Sequence, residues 1–307
     1  MWSHLERGSS PVDWCESNYS ITPMIAEFVN THRFSFVSNV LFFLFPPVLI
    51  HLFQEYSKFF NPAINILWVL LMVVGLSSAY FHATLSLVAD RQSGEVWQKN
   101  NYKQLRLKIS LLLCTTFFIF LGQLLDELAI LWVFMAAFAM FFPKRYFPKF
   151  VGGNRRVLAY YASVFSVVST GFLVMHPKAN AFALMTLALP ALTFLCKELK
   201  RVKCVRVYRL GLRCIAVCLL AMFCWIMDRA FCEAWLSIDF PYMHGAWHIL
   251  IFIASYTAVV LFAYFNVSEE RPEQKPQLRY WPVDNFELGI PYITMKHPCK
   301  KDDNIAI

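Results

Sequence analysis

"HGAWHILIFIASYTAVVLFAYF", residues 244–265, decides the fold. It carries no Asp, Glu, Lys or Arg over 22 residues, about the 20 apolar residues that an α-helix needs to cross a bilayer. Similar apolar runs lie at 34–55, 62–83, 121–142, 157–175, 180–196 and 212–230. The 307 residues are 58% hydrophobic, 17% aromatic and only 16% charged, with a positive mean hydropathy. A soluble domain carries more charge than this. The reading is therefore an all-α membrane protein, a seven-helix transmembrane bundle over 34–265, preceded by a polar segment 1–33 and followed by a tail 266–307. Residues 1–30 lack the apolar core of a signal peptide, so the first span is expected to act as its own signal. The proline-bearing tail reads as extended or disordered.

Orientation follows from the loops. "PKRYFPKFVGGNRR" (143–156) and "KELKRVKCVRVYR" (197–209) are strongly basic and fall on the same side as the C-terminus. The positive-inside rule makes that side cytosolic and the N-terminus lumenal or extracellular. The net charge of +8 then belongs to loops beside anionic lipid. No aromatic-plus-basic pattern for nucleic acid accompanies it.

This topology gathers polar residues at one membrane depth. His244 and His248, four apart, share one face of the seventh span. Ser78 and His82, also four apart, share a face near the outer end of the second, and Asp126 opens the third. Each has a plain structural reading when taken singly: an interfacial histidine, a carboxylate favoured by a helix start, an ordinary serine. Together they match a catalytic zinc pattern, in which three neutral nitrogens leave a fourth position for water. Asp126 is placed to act as a base and Ser78 to donate to an oxyanion. In the N-terminal segment, Asp13, Glu16, Asn18 and Glu27, with the Trp14 carbonyl, offer hard oxygen ligands suited to calcium. Without EF-hand spacing, the same stretch also reads as a solvated acidic segment.

Nine cysteines divide by environment. Cys114, Cys214, Cys218 and Cys224 lie in apolar runs. Cys196, Cys204 and Cys299 fall on the reducing, cytosolic side. Cys15 and Cys232 fall in polar context on the oxidising side, so a Cys15–Cys232 disulfide is expected; the alternative is two free thiols.

At these residues the chain resembles the alkaline ceramidases, seven-span amidohydrolases related to the adiponectin-receptor type of intramembrane zinc protein. The resemblance rests on "DWCESNY" (13–19), "AEFVNT" (26–31), "SNVLFF" (38–43), "YFHATLS" (80–86), "GQLLDELAILW" (122–132), "DRAFCE" (228–233), "HGAWHIL" (244–250) and "YWP" (280–282). It implies zinc on His82, His244 and His248, with Ser78 and Asp126 catalytic. It implies calcium on Asp13, Trp14, Glu16, Asn18 and Glu27, together with the Cys15–Cys232 bridge. The implied reaction is hydrolysis of ceramide to sphingosine and a fatty acid in the endoplasmic reticulum or Golgi membrane. A zinc-containing receptor or scaffold of the same fold is the competing class; retention of Asp126 favours the enzyme.

Two stretches depart from the family pattern. About five extra residues lie between Thr31 and Ser38, in 32–37. A longer insert, 88–120, separates His82 from Asp126. Its first half is basic on the lumenal side, against the positive-inside bias. Its second half fuses with the third span into an apolar run from Ile109 to Phe142, which as helix is about 51 Å long against a core of about 30 Å. The insert is read as foreign to the bundle.

Overall fold

The computed structural model describes Cys15 and residues 35–84, 128–176 and 179–295. These residues are mostly helical. The helices are α1 (Ser35–Leu52), α2 (Gln54–Phe59), α3 (Ile64–Thr84), α4 (Leu128–Phe141), α5 (Arg155–Met175), α6 (Asn180–Leu199), α7 (Val205–Ala230), α8 (Cys232–Leu236) and α9 (Met243–Glu270). Among the described residues, four stretches are long and apolar enough to cross a membrane: Arg155–Met175, Phe182–Leu199, Val205–Ala230 and Met243–Glu270. Shorter apolar helical stretches, Asn39–Leu52, Ile64–Ala79 and Leu128–Phe141, occupy the positions expected for the first three spans.

α9 is central. Over half of it is buried, against a small minority of α5 and α6, and α7 is its most extensive partner among the described elements. Helices in hydrocarbon associate by close packing rather than by a hydrophobic drive, so small residues decide where backbones approach. Gly75 of α3 faces Phe42 of α1, and Gly211 of α7 faces Leu199 of α6; a Cβ at either glycine would collide with that neighbour. At the α1–α9 contact, Phe42 and Phe252 meet edge to face with centroids 4.7 Å apart.

The tail departs from the extended or disordered segment expected of it, and the fold from all-α. Beyond α9, strands β1 (Gln277–Trp281) and β2 (Ile290–Thr294) form an antiparallel hairpin, with Gln277 opposite Thr294 and Trp281 opposite Ile290. Leu278, Tyr280, Ile293 and Met295 are buried in the main core. The prolines that suggested disorder stand where they cost little: Pro282 begins the connection, and Pro291 sits on a strand with a neighbour on one side only. The hairpin is held electrostatically from α7. Arg206 bonds the Asp284 carboxylate at 3.0 Å, and Arg213 bonds the Glu287 carboxylate at 2.6 Å. Charges that the loop composition assigned to membrane orientation thus also bind the chain's own tail.

The same holds for the loop after α4. Arg155, at the first position of α5, donates to the carbonyls of Met140 and Phe142 at the end of α4, at 2.7 and 3.1 Å. It pairs with Glu270 of α9 at 2.6 Å and reaches Asn266 at 3.3 Å. Arg145 bridges Glu198 of α6 (2.8 Å) and Glu269 of α9 (3.2 Å), and Lys144 pairs with Glu270 at 3.2 Å. The last carbonyls of a helix have no partner within it, and Arg155 supplies one for α4.

Replacing Arg155 by Ala removes the donor to those carbonyls and leaves Glu270 with Lys144 as its remaining ion pair among the described residues. The expected loss is about 1–3 kcal/mol, read as a lower thermal unfolding midpoint in detergent. Arg156→Ala, an exposed neighbour, is expected to match the parent. Equal midpoints for the two variants would refute the role given to Arg155.

Candidate active site

His244 and His248 lie on the first two turns of α9 and are buried. Their period-four spacing stacks them on one helix face, and their Nε2 atoms approach to 3.0 Å. The rings are nearly perpendicular, at 85°. Trp247 packs beside both, with its centroid 5.1 Å from that of His244 and 4.9 Å from that of His248. Two imine nitrogens this close either share one proton or present both lone pairs to one cation. Two ligands each about 2.0–2.1 Å from a common ion span such a separation, so this donor pair fits zinc.

Ser78 of α3 is 1% exposed, and its Oγ has no hydrogen-bond partner among the described residues. An unsatisfied buried hydroxyl in a native fold calls for an explanation. Ser78, His244 and His248 all line one cavity of about 640 Å³, together with Trp225 and Arg229 of α7. Its other walls are mainly apolar and aromatic side chains of α3, α4, α5, α6 and α9. That volume lies within the range of small-molecule and cofactor sites, about 300–1,000 Å³.

The expected residues divide by what the structure describes. Ser78, His244 and His248 come together. His82 lies on α3 one turn beyond Ser78, hence on the same face; its side chain is outside the described residues. Asp126 lies outside them, as do Asp13, Trp14, Glu16, Asn18 and Glu27. Among the described residues no group of three or more His, Cys, Asp or Glu is placed to hold a metal. Cys15 and Cys232 are joined in a disulfide, with Cα atoms 5.2 Å apart.

Asp228 and Arg229 received no role from the sequence beyond membership of "DRAFCE". Asp228 is 1% exposed at the end of α7, and its Oδ2 accepts the Cys15 amide N–H at 3.4 Å. With the disulfide, this fixes Cys15 at the end of the bundle where α7 stops. The guanidinium of Arg229 lies 5.7 Å from the Trp225 ring centroid, at the cavity wall. A signal was available: ionisable residues inside apolar helices are functional by default.

Comparison with known proteins follows from these residues. The family described as Ceramidase matches residues 6–93 and 109–294. The match resumes inside the stretch read as an insert, leaving 94–108 uncovered, and continues through the hairpin. An alkaline ceramidase of Drosophila melanogaster is 52% identical over 299 residues, covering 97% of this chain and 92% of the relative. Alkaline ceramidase 1 of Homo sapiens is 35% identical over 288 residues, covering 94% and 95%. An alkaline ceramidase of Caenorhabditis elegans is 27% identical over 301 residues, covering 96% of each.

Peptide mapping of the unreduced protein is expected to recover Cys15 and Cys232 in one linked fragment that separates on reduction. Cys15→Ser, Cys232→Ser and the double variant should lower the thermal midpoint equally, because each removes the same bond. A double variant clearly worse than either single would show that the thiols act separately.

Proposed function

Because the chain belongs to the ceramidase family, we propose that it hydrolyses the amide bond of ceramide within the membrane, releasing sphingosine and a free fatty acid. The observation that carries this reading is the buried His244–His248 pair opening, with Ser78, onto one apolar cavity of about 640 Å³. An apolar chamber accepts lipid chains, and a polar group of few members at one end can address the amide. The bundle is read with all seven helical segments crossing the bilayer, the N-terminus lumenal and the C-terminus cytosolic, in the endoplasmic reticulum or Golgi.

His82, His244 and His248 would hold zinc through neutral imidazole nitrogens. When bound there, zinc supplies a Lewis acid that brings a coordinated water's pKa to about 7. The chain's own groups do the rest. Asp126 orients the attacking water, takes its proton and passes it to the sphingoid nitrogen as the C–N bond breaks. Ser78, whose hydroxyl is not committed to any described neighbour, donates to the carbonyl oxygen as negative charge gathers there. The apolar walls exclude bulk water and hold the chains, which fixes the amide at the reacting end. Calcium is assigned to Asp13, Trp14, Glu16, Asn18 and Glu27, on either side of Cys15, which itself bonds Asp228 and Cys232.

The purified full chain is expected to hydrolyse ceramide and to lose that activity on zinc chelation. His248→Ala should lose both bound zinc, by elemental analysis, and activity. Asp126→Asn should retain zinc while turnover falls by about 10²-fold or more. Turnover by His248→Ala near that of the parent would overturn the metal reading; loss of zinc in Asp126→Asn would move that carboxylate into the ligand set.

A further inference from the structure

We propose that the tip of the C-terminal hairpin, residues 281–289, is a re-entrant element embedded among the phospholipid acyl chains of the leaflet at the end of the bundle where α7 begins. The proposal rests on the reading of α5, α7 and α9 as membrane-spanning.

The first observation is inverted polarity. In water, a surface loop turns its charges outward. Here Asp284 and Glu287 are turned onto α7, where Arg206, Arg209 and Arg213 bind them at 3.0, 3.2 and 2.6 Å. The outward positions belong mainly to apolar side chains, Trp281, Val283, Phe286 and Leu288, the last 78% exposed, with Pro282 and the uncharged Asn285 beside them. Tyr208, Leu212 and Leu219 of α7 are exposed as well, a surface that lipid covers in a membrane-spanning helix.

The second is depth. The 28 residues of α9 extend about 42 Å, roughly 12 Å more than a hydrocarbon core of about 30 Å. A cavity of about 300 Å³ lies between the tip (Pro282, Leu288) and Phe45, Phe252 and Tyr256. Tyr256 stands about 21 Å of helix from Glu270. Even if the whole excess projected at that end, Tyr256 would remain inside the core. The 26 residues of α7 repeat the argument. They exceed the core by about 9 Å, and Arg213 lies about 12 Å along from Val205.

The third is backbone satisfaction. Non-helical backbone at membrane depth is tolerated only where the protein supplies its hydrogen bonds, and the carbonyls of Val283, Asp284, Phe286 and Glu287 are supplied. Arg206 donates to Asp284 O at 2.6 Å and Arg213 to Glu287 O at 2.7 Å. Phe286 N–H donates to Val283 O, and Gly289 N–H to Phe286 O, both at 2.9 Å. The Asp284 side chain in turn accepts the Tyr280 N–H at 3.1 Å. Using scarce arginines on loop carbonyls suits a site without water.

The test places an environment-sensitive fluorophore on single cysteines in the full chain, with Cys196, Cys204 and Cys299 replaced by serine and that background as the blank. Phe286→Cys and Leu288→Cys report the tip. Val167→Cys, on the exposed face of α5, reports lipid, and Glu273→Cys, in the turn after α9, reports water. In lipid nanodiscs, acyl-chain nitroxide lipid is expected to quench 286 and 288 as it does 167. Iodide should quench them several-fold less than it does 273. Iodide quenching at 286 and 288 equal to that at 273, with 167 still lipid-quenched, would overturn this proposal alone. Aqueous behaviour at 167 as well would overturn the membrane-spanning reading with it.

Discussion

Arg155 is the side chain on which the described bundle depends most. One guanidinium closes the end of α4, starts α5 and grips the end of α9 through Asn266 and Glu270. Helix packing in an apolar medium has little directional preference, because a lipid tail is as good a neighbour as a leucine. Direction and register must come from polar contacts and from close backbone approach. Arg155, Arg145 and Lys144 provide the first where α4, α6 and α9 end, and Gly75 and Gly211 provide the second. The cavity is lined by the helices so placed, so its shape is inherited from that ionic cluster.

The opposite end is fixed by different means. Asp228 and the Cys15–Cys232 bond hold Cys15 at the end of α7, while α9 starts with the histidine pair. One end of the bundle is held by salt bridges, the other by a covalent bond and a buried carboxylate. The first arrangement tolerates small displacements; the second does not, and it is the second that lies at the end carrying His244 and His248.

What could be read from the chain tracks the range of the interactions involved. His244 and His248 were legible because a helix repeats every 3.6 residues and the pair is local. Ser78 was legible only through its spacing to His82. Asp228 and Arg229 were not, since a lone ionisable residue at a span end has an easy interfacial explanation. The hairpin was missed for a related reason. Its strands are five residues each, its prolines read as breakers, and the arginines that dock it are 74 to 78 positions away. Basic loop residues were read as orientation signals, a role that does not preclude the ion pairs they make with Glu198, Glu269, Glu270, Asp284 and Glu287. The proposed zinc set rests partly on His82, the base is Asp126, and the calcium set is Asp13, Trp14, Glu16, Asn18 and Glu27, all with side chains outside the described residues.

The Cys15–Cys232 bond also sets a clock. Its partners are separated by 217 positions. At about 5–20 residues per second, translation delivers the second thiol some 10–40 s after the first. Cys15 must wait through that interval for its partner. Any other thiol it meets in that time is a competitor. Covalent closure is thus a late event in biosynthesis, available only once the helices from α1 to α7 have been synthesised.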